Sequence, residues 1–216
     1  MTEQSSKGIF LGRKSLANAR RSEIVAAFYR CVVAEGFAGA SIRKVAKEAG
    51  VQPSVLHHYF ADRDEMIEEM VTVYADLIIQ HFKNDMKECK DPDEQFRYAI
   101  HYLFSDSMIN DDFTGFFLEC LVESRRNPKV RATIAATFRR FRKEITEFID
   151  GLEVFKKLPA ATKKTYVSMI VAMHEGTELQ WFANPKDISL EAAYDTGRLL
   201  IELLTDHVAA TGKKGT

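Results

Sequence analysis

With 216 residues, 46% of them hydrophobic, the chain can bury a substantial core arranged as a small head and a larger body. Its 30 Lys and Arg against 31 Asp and Glu exclude any global steering toward polyanions. Three widely separated cysteines (Cys31, Cys89, Cys120) fit reduced thiols better than a disulfide framework; with no signal peptide and no apolar run of about 18 residues, a cytoplasmic protein off the membrane is expected.

A basic stretch (Lys7, Arg13, Lys14, Arg20, Arg21) leads into a first helix from about residue 20 to 35. Its apolar face is Ile24, Ala27, Phe28, Cys31 and Val32, and Gly36 stops it. Ser41 then caps a second helix whose Ile42, Val45, Ala46 and Ala49 fall at i, i+3, i+4 and i+7. Gly50 follows where the chain needs positive φ. Pro53 suits the first turn of a third helix, where its missing N–H costs nothing. Leu56, Tyr59 and Phe60 make that helix's buried stripe and leave Pro53, Ser54, His57 and His58 on the free side. Asp62 and Glu65 have the spacing of a capping box, opening a fourth helix with Met66, Met70, Val73, Tyr74 and Leu77 on one face.

Two short helices joined at Gly50, the first basic and the second polar on its free face, let a helix enter the DNA major groove. Charge agrees. Residues 1–63 hold ten Lys and Arg against five Asp and Glu, a balance of +5, and the remainder carries −6. Ser54, His57 and His58 are expected at base edges or nearby phosphates, with Pro53 on the same face, and Val55 at a thymine methyl. Gln52 suits either a base edge or a phosphate. Arg43, Lys44 and Arg63 are expected to hold the DNA backbone, and Tyr59 to offer its hydroxyl while its ring joins the core. The basic stretch at the start reads as an arm that orders on DNA. His57 and His58 do not read as a metal site, since successive helical side chains diverge by about 100° and no second Cys/His pair stands at ligand spacing. No cofactor and no metal are expected.

Residues 20–80 resemble the N-terminal domain of TetR-family transcriptional regulators. The resemblance rests on Gly36-Phe37, Ala40-Ser41-Ile42, Val45-Ala46, Ala49-Gly50-Val51, Leu56, His58-Tyr59-Phe60 and Asp62-Arg63-Asp64. It implies an all-α fold in which a three-helix helix-turn-helix head precedes a larger body that dimerises and binds an effector. Three positions depart from the common pattern: Gln52-Pro53 stands where a Ser or Thr cap is usual, His57 where Tyr is common, and Arg63 where Lys is common. These departures bear on the operator sequence and the phosphate contacts.

Beyond residue 83 helical patterns continue over roughly 93–108, 112–125, 129–150, 160–182 and 189–209, giving about nine helices in all. The expected domains are a DNA-binding head at 18–78, with its helix-turn-helix at 41–60, and a ligand-binding and dimerisation body at 79–211. Aromatic stripes at helical spacing are more often core than cofactor box. The resemblance nonetheless implies an effector cavity. Its expected lining is His101, Tyr102, Phe113, Phe116, Phe117, Phe141, Tyr166, Met173, His174, Glu178 and Trp181. His174 and Glu178 share a helical face and suit ligand contact or a satisfied pair at a subunit interface equally well.

Two stripes suit a dimer seam: Met169, Met173, Gly176 and Gln180, then Leu190, Ala193, Gly197, Leu200, Ile201 and Leu204. In the resembling family such helices pair with their twofold mates. A dimer would present two recognition helices about 34–36 Å apart to a pseudo-palindromic operator. Burial of both stripes within one chain is the alternative. The function implied is a ligand-responsive repressor, released from double-stranded DNA when a small apolar effector shifts the fourth helix through Met66, Met70 and Tyr74. The alternative is a DNA-binding dimer without effector, constitutive or controlled by a partner protein. No nucleophile–base motif, Gly-rich phosphate loop or metal signature supports an enzyme.

Overall fold

The computed structural model describes the backbone of residues 3–156 and 158–212, and the side chains of 17–153, 155–156, 158–207 and 210. These form helices and no strand, in the order α1 (Glu3–Gly39), α2 (Ile42–Glu48), α3 (Pro53–Tyr59), α4 (Arg63–Glu88), α5 (Pro92–Leu103), α6 (Asp111–Ser124), α7 (Pro128–Gly151), α8 (Glu153–Lys156), α9 (Ala160–Ala183) and α10 (Leu190–Gly212). With α8 a single turn, the all-α class and the nine expected helices are present among the described residues. None of these helices is long and apolar enough to cross a membrane.

Contacts divide the chain into two compact units. One takes the residues up to Val73 together with Phe116–Ile134, and the other takes Tyr74–Gly115 together with Ala135 onward. Position along the chain alone would assign 116–134 to the second.

In the first unit α1 begins at Glu3, earlier than its apolar face suggests, since no proline interrupts residues 3–19. Gly36 breaks it at φ 68, ψ 176, a left-handed φ that favours glycine. The next residue, Phe37, donates its N–H to Glu119 Oε2 on α6 at 3.0 Å. Ser41 Oγ accepts from Lys44 N at 3.4 Å as the cap of α2, and Gly50 (φ 65) turns the chain toward Pro53. Gln52 occupies the N-cap of α3 without a side-chain bond. At the start of α4, Asp62 Oδ1 accepts from Glu65 N at 2.8 Å, while Glu65 Oε2 accepts from Ala61 N at 2.7 Å. The capping box is therefore present with its return bond one residue upstream of the cap. Ile24, Phe28, Val32, Val45, Leu56, Phe60, Met66, Ile67 and Met70 fill the core, so the seven-residue α3 is held by packing and not by propensity.

The second unit centres on Ile100, Tyr102, Phe104, Met108, Ile109, Ile170 and Ile201. Here α5 stops at Leu103, short of the expected residue 108. Phe104 leaves the helical region, and Ser105 Oγ bonds back to Tyr102 O at 2.9 Å, a local bond that competes with the helix. A smaller cluster gathers Ile149, Phe155 and Val167. The α10 stripe is divided: Gly197 and Ile201 face the chain's own core, Leu190 and Ala193 pack against it half-buried, and Leu200 is exposed beside Leu199 and Leu203.

Candidate nucleic-acid interface and effector cavity

On α3, Leu56 is buried while Ser54, His57 and His58 are exposed, with Gln52 exposed just before them. Pro53, Val55 and Tyr59 are half-buried, and the Tyr59 ring meets His58 edge-on at 5.2 Å. Arg43 projects from α2, exposed and without a hydrogen bond or ion pair among the described residues. Lys44, also exposed, pairs with Glu35. The exposed set thus puts cations on α2 and donors and acceptors on α3.

Two arginines depart from the expected pattern. Arg63 is half-buried: Nη2 donates to Phe37 O, the guanidinium lies 5.4 Å from the Phe37 ring, and Nε has no hydrogen-bond partner. Arg21, expected in the arm, donates to Glu65 Oε1 at 2.7 Å, to Glu69 and to Tyr59 O, and stacks 4.1 Å from Phe60. It clamps α1, α3 and α4 together. Glu65 is held below the usual carboxylate range chiefly by the Arg21 hydrogen bond. Arg20 pairs with Glu23 at 2.6 Å, whereas the side chains of Lys7, Arg13 and Lys14 lie outside the described residues.

A cavity of about 70 Å³ opens in the second unit, lined by Ile78, Phe82, Phe96, Tyr102, Phe141, Glu144, Ile145, Phe148 and neighbouring aliphatic residues. Of the expected lining set, Tyr102 and Phe141 are there. Burial pushes the Tyr102 phenol up to about 12, and its hydroxyl donates to Ile78 O at 3.0 Å. Glu144, which the sequence reading missed, is the carboxylate at the wall and pairs with Lys83 at 2.7 Å. Its signal was register: Phe141, Glu144, Ile145 and Phe148 fall at i, i+3, i+4 and i+7 of one helical face.

The other expected lining residues lie elsewhere, because helical spacing fixes a face but not the neighbour it meets. Phe116 and Phe117 belong to the first unit, where Phe116 meets Tyr29 edge-on at 5.1 Å. His101 is exposed against Tyr194, and Phe113 is half-buried. Tyr166 and Met173 line an open groove of about 620 Å³ between α9 and α10. Trp181 packs against the main core of the unit.

His174 and Glu178 are both buried in the second unit, which places neither at its surface. His174 Nδ1 lies 2.7 Å from Leu103 O, and its Nε2 lies 3.8 Å from Glu178 Oε2. Burial lowers the imidazole pKa to about 4 and raises the Glu178 carboxyl. Glu175, another residue the sequence reading passed over, is pushed up to about 7 by burial and then by Glu178. Thr114 lies close enough to offset part of the effect on Glu178, yet Thr114 Oγ1 and Glu178 Oε1 form no hydrogen bond of full geometry.

The pattern of bacterial regulatory proteins of the tetR family matches residues 24–70, and that of the BetI-type transcriptional repressor C-terminal region matches residues 92–211. The HTH-type nicotine-responsive transcriptional repressor HdnoR of Paenarthrobacter nicotinovorans is 26% identical over 172 residues, spanning 78% of this chain and 86% of its own. The HTH-type transcriptional regulator BetI of Burkholderia cenocepacia is 24% identical over 186 residues, spanning 86% and 93%. Among solved structures, a transcriptional regulator from Pseudomonas aeruginosa superposes with a TM-score of 0.77 at 15% identity, covering 88% of this chain and 91% of its own. One from Saccharomonospora viridis in complex with choline gives 0.71 at 17%, covering 86% and 96%. These superpositions speak for a shared fold. Matched over both its helix-turn-helix and most of its remaining length, the chain belongs to the tetR family and is a DNA-binding transcriptional regulator, not an enzyme.

Proposed function

We propose that this regulator is a homodimeric repressor released from a pseudo-palindromic operator by a small effector with an apolar body. The observation that carries the reading is the cavity walled by Phe82, Phe96, Tyr102, Phe141 and Phe148, with Glu144 as its carboxylate. Nicotine and choline, named for one relative and one structural neighbour, both join apolar carbon to a nitrogen that carries positive charge. Aromatic faces and one carboxylate suit that chemistry. Helix α4 supplies Met66 and Met70 to the core of the first unit and Ile78 and Phe82 to the cavity of the second, so one continuous helix serves both.

On the DNA side, Ser54, His57 and His58 face the base edges with Gln52, Pro53 and Val55 beside them. Arg43 and Lys44 hold phosphates. A second copy of the chain covers the apolar face of α9 and α10, where Met169, Leu199, Leu200 and Leu203 are exposed.

A cavity of about 70 Å³ is below the roughly 300–1,000 Å³ of an ordinary small-molecule pocket, and this favours a second reading, a repressor without effector. A thermal-shift screen of apolar and cationic small molecules, with hits retested for release of fluorescent promoter DNA, separates the two. A compound that raises the melting temperature and releases DNA from an intact dimer supports the effector reading. Tight DNA binding that no compound alters supports the other.

A further inference from the structure

We infer that His174, Glu175 and Glu178, on neighbouring turns of α9, form a site for one divalent transition-metal ion of the zinc class. One ligand atom from each lies within 4.8 Å of the others. The Leu103 carbonyl 2.7 Å from His174 Nδ1 can only accept, so Nδ1 carries the hydrogen and Nε2 presents its lone pair. That lone pair faces Glu178 Oε2 across 3.8 Å, too far for a hydrogen bond. Glu178 is only 2% exposed, and its Oε1 has no hydrogen-bond partner. The His174 Nε2 lone pair and the Glu178 carboxyl face each other with no hydrogen between them, and the nearby Thr114 hydroxyl makes no full hydrogen bond to Glu178, an arrangement that a cation resolves.

Size and donor type narrow the cation. Zinc bonds of about 2.0–2.2 Å to nitrogen and oxygen set donors roughly 3.3–3.6 Å apart around a tetrahedral ion. A small rotation of Glu178 closes its 3.8 Å separation from His174 Nε2 to that value, and the Glu175 ligand atom starts within 4.8 Å of both. A quaternary ammonium has no hydrogen to offer the Nε2 lone pair, whereas a metal ion takes it directly. An imidazole among carboxylates favours zinc and its late first-row neighbours over magnesium or calcium. The Nδ1–H to carbonyl bond is the outer support that fixes a metal-binding histidine. None of the three side chains lines the aromatic cavity, so the inference stands apart from the effector reading.

The test uses the full chain, dialysed against a chelator and titrated with zinc in competition with a chromogenic chelator. One equivalent per chain is expected. Glu178→Gln and His174→Asn should each weaken binding at least about 100-fold, the upper end of the loss seen for outer-shell partners. His81→Asn, which removes an exposed histidine near Asp85, should leave it unchanged. X-ray absorption at the zinc edge on the wild-type protein reads the ligands even where a variant fails to fold, and should show one imidazole with carboxylate oxygens. Failure to bind zinc, a spectrum without imidazole, or loss on His81→Asn with Glu178→Gln unaffected overturns the assignment.

Discussion

The ring of Phe104 occupies the space a β-carbon on Gly197 would need, its Cε2 2.6 Å and its Cζ 3.1 Å from that position. Phe104 is buried, so the ring has nowhere to swing. Gly197→Ala should therefore destabilise the protein by about 1–3 kcal/mol through overpacking, outweighing the ~1 kcal/mol helix-propensity gain of alanine. Urea unfolding followed by circular dichroism measures it. Gly176 is the contrast, with no atom within 4 Å of its missing β-carbon. Gly176→Ala should stabilise the folded chain by about 0.5–1 kcal/mol.

Exposed and inward-turned basic residues should separate cleanly. Arg43→Ala should lower affinity about equally for all DNA sequences and reduce the salt slope by about one phosphate contact, with stability unchanged. His57→Ala should instead relax preference at one base pair, by about 1–3 kcal/mol. Fluorescence anisotropy at several salt concentrations, on the operator and on single-base variants, reads both.

Arg21→Ala should act on the fold. It removes bonds to Glu65, Glu69 and the Tyr59 carbonyl, and the stacking on Phe60. A loss of about 2 kcal/mol is expected, with DNA affinity falling only as the folded fraction falls. A chemical melt run beside a binding titration tells this from a direct phosphate contact.

Acid should weaken the first unit through two carboxyls. Asp62 is held low chiefly by the Glu65 backbone N–H, and Glu65 chiefly by Arg21. Both folded pKa values lie below the unfolded ones, so the stabilisation is complete above the unfolded values of about 4 and lost as pH falls through the folded ones. Melting temperature recorded from pH 6 to pH 3 should drop at the acid end, and Glu65→Gln should flatten that drop.

Filling the aromatic cavity should silence any effector response while sparing the operator. Ile145→Phe adds ring volume to the cavity wall. DNA affinity and the oligomeric state are expected to stay at wild-type values, with effector-induced release abolished. A variant that still responds places the effector elsewhere.

The helix-turn-helix was legible because its signals are local. The Ser41 cap, the left-handed Gly50 and Pro53 at the start of α3 each act within a few residues. Arg21 and Arg63 read as surface cations because their partners are distant in sequence, Glu65 44 positions from Arg21 and the Phe37 carbonyl 26 from Arg63. Gly176 and Gly197 look alike in a helical stripe, and only the Phe104 ring tells them apart. The aromatic wall was hidden for the same reason. Spacing predicts which side chains share a face, as with Phe141, Ile145 and Phe148, but not that Phe82 and Phe96 meet them.

The bond from Phe37 N–H to Glu119 bears on how heads can be exchanged between relatives. A chimera joined at residue 78 would keep Gly36 and Phe37 from one parent and take the acceptor from another. Asp64, which receives a bond from Asn127 at 2.7 Å, would be parted from its partner in the same way. A transplanted reading head must therefore bring residues 116–134 with it, and operator specificity in this scaffold is inherited as two separated stretches of gene that have to travel together.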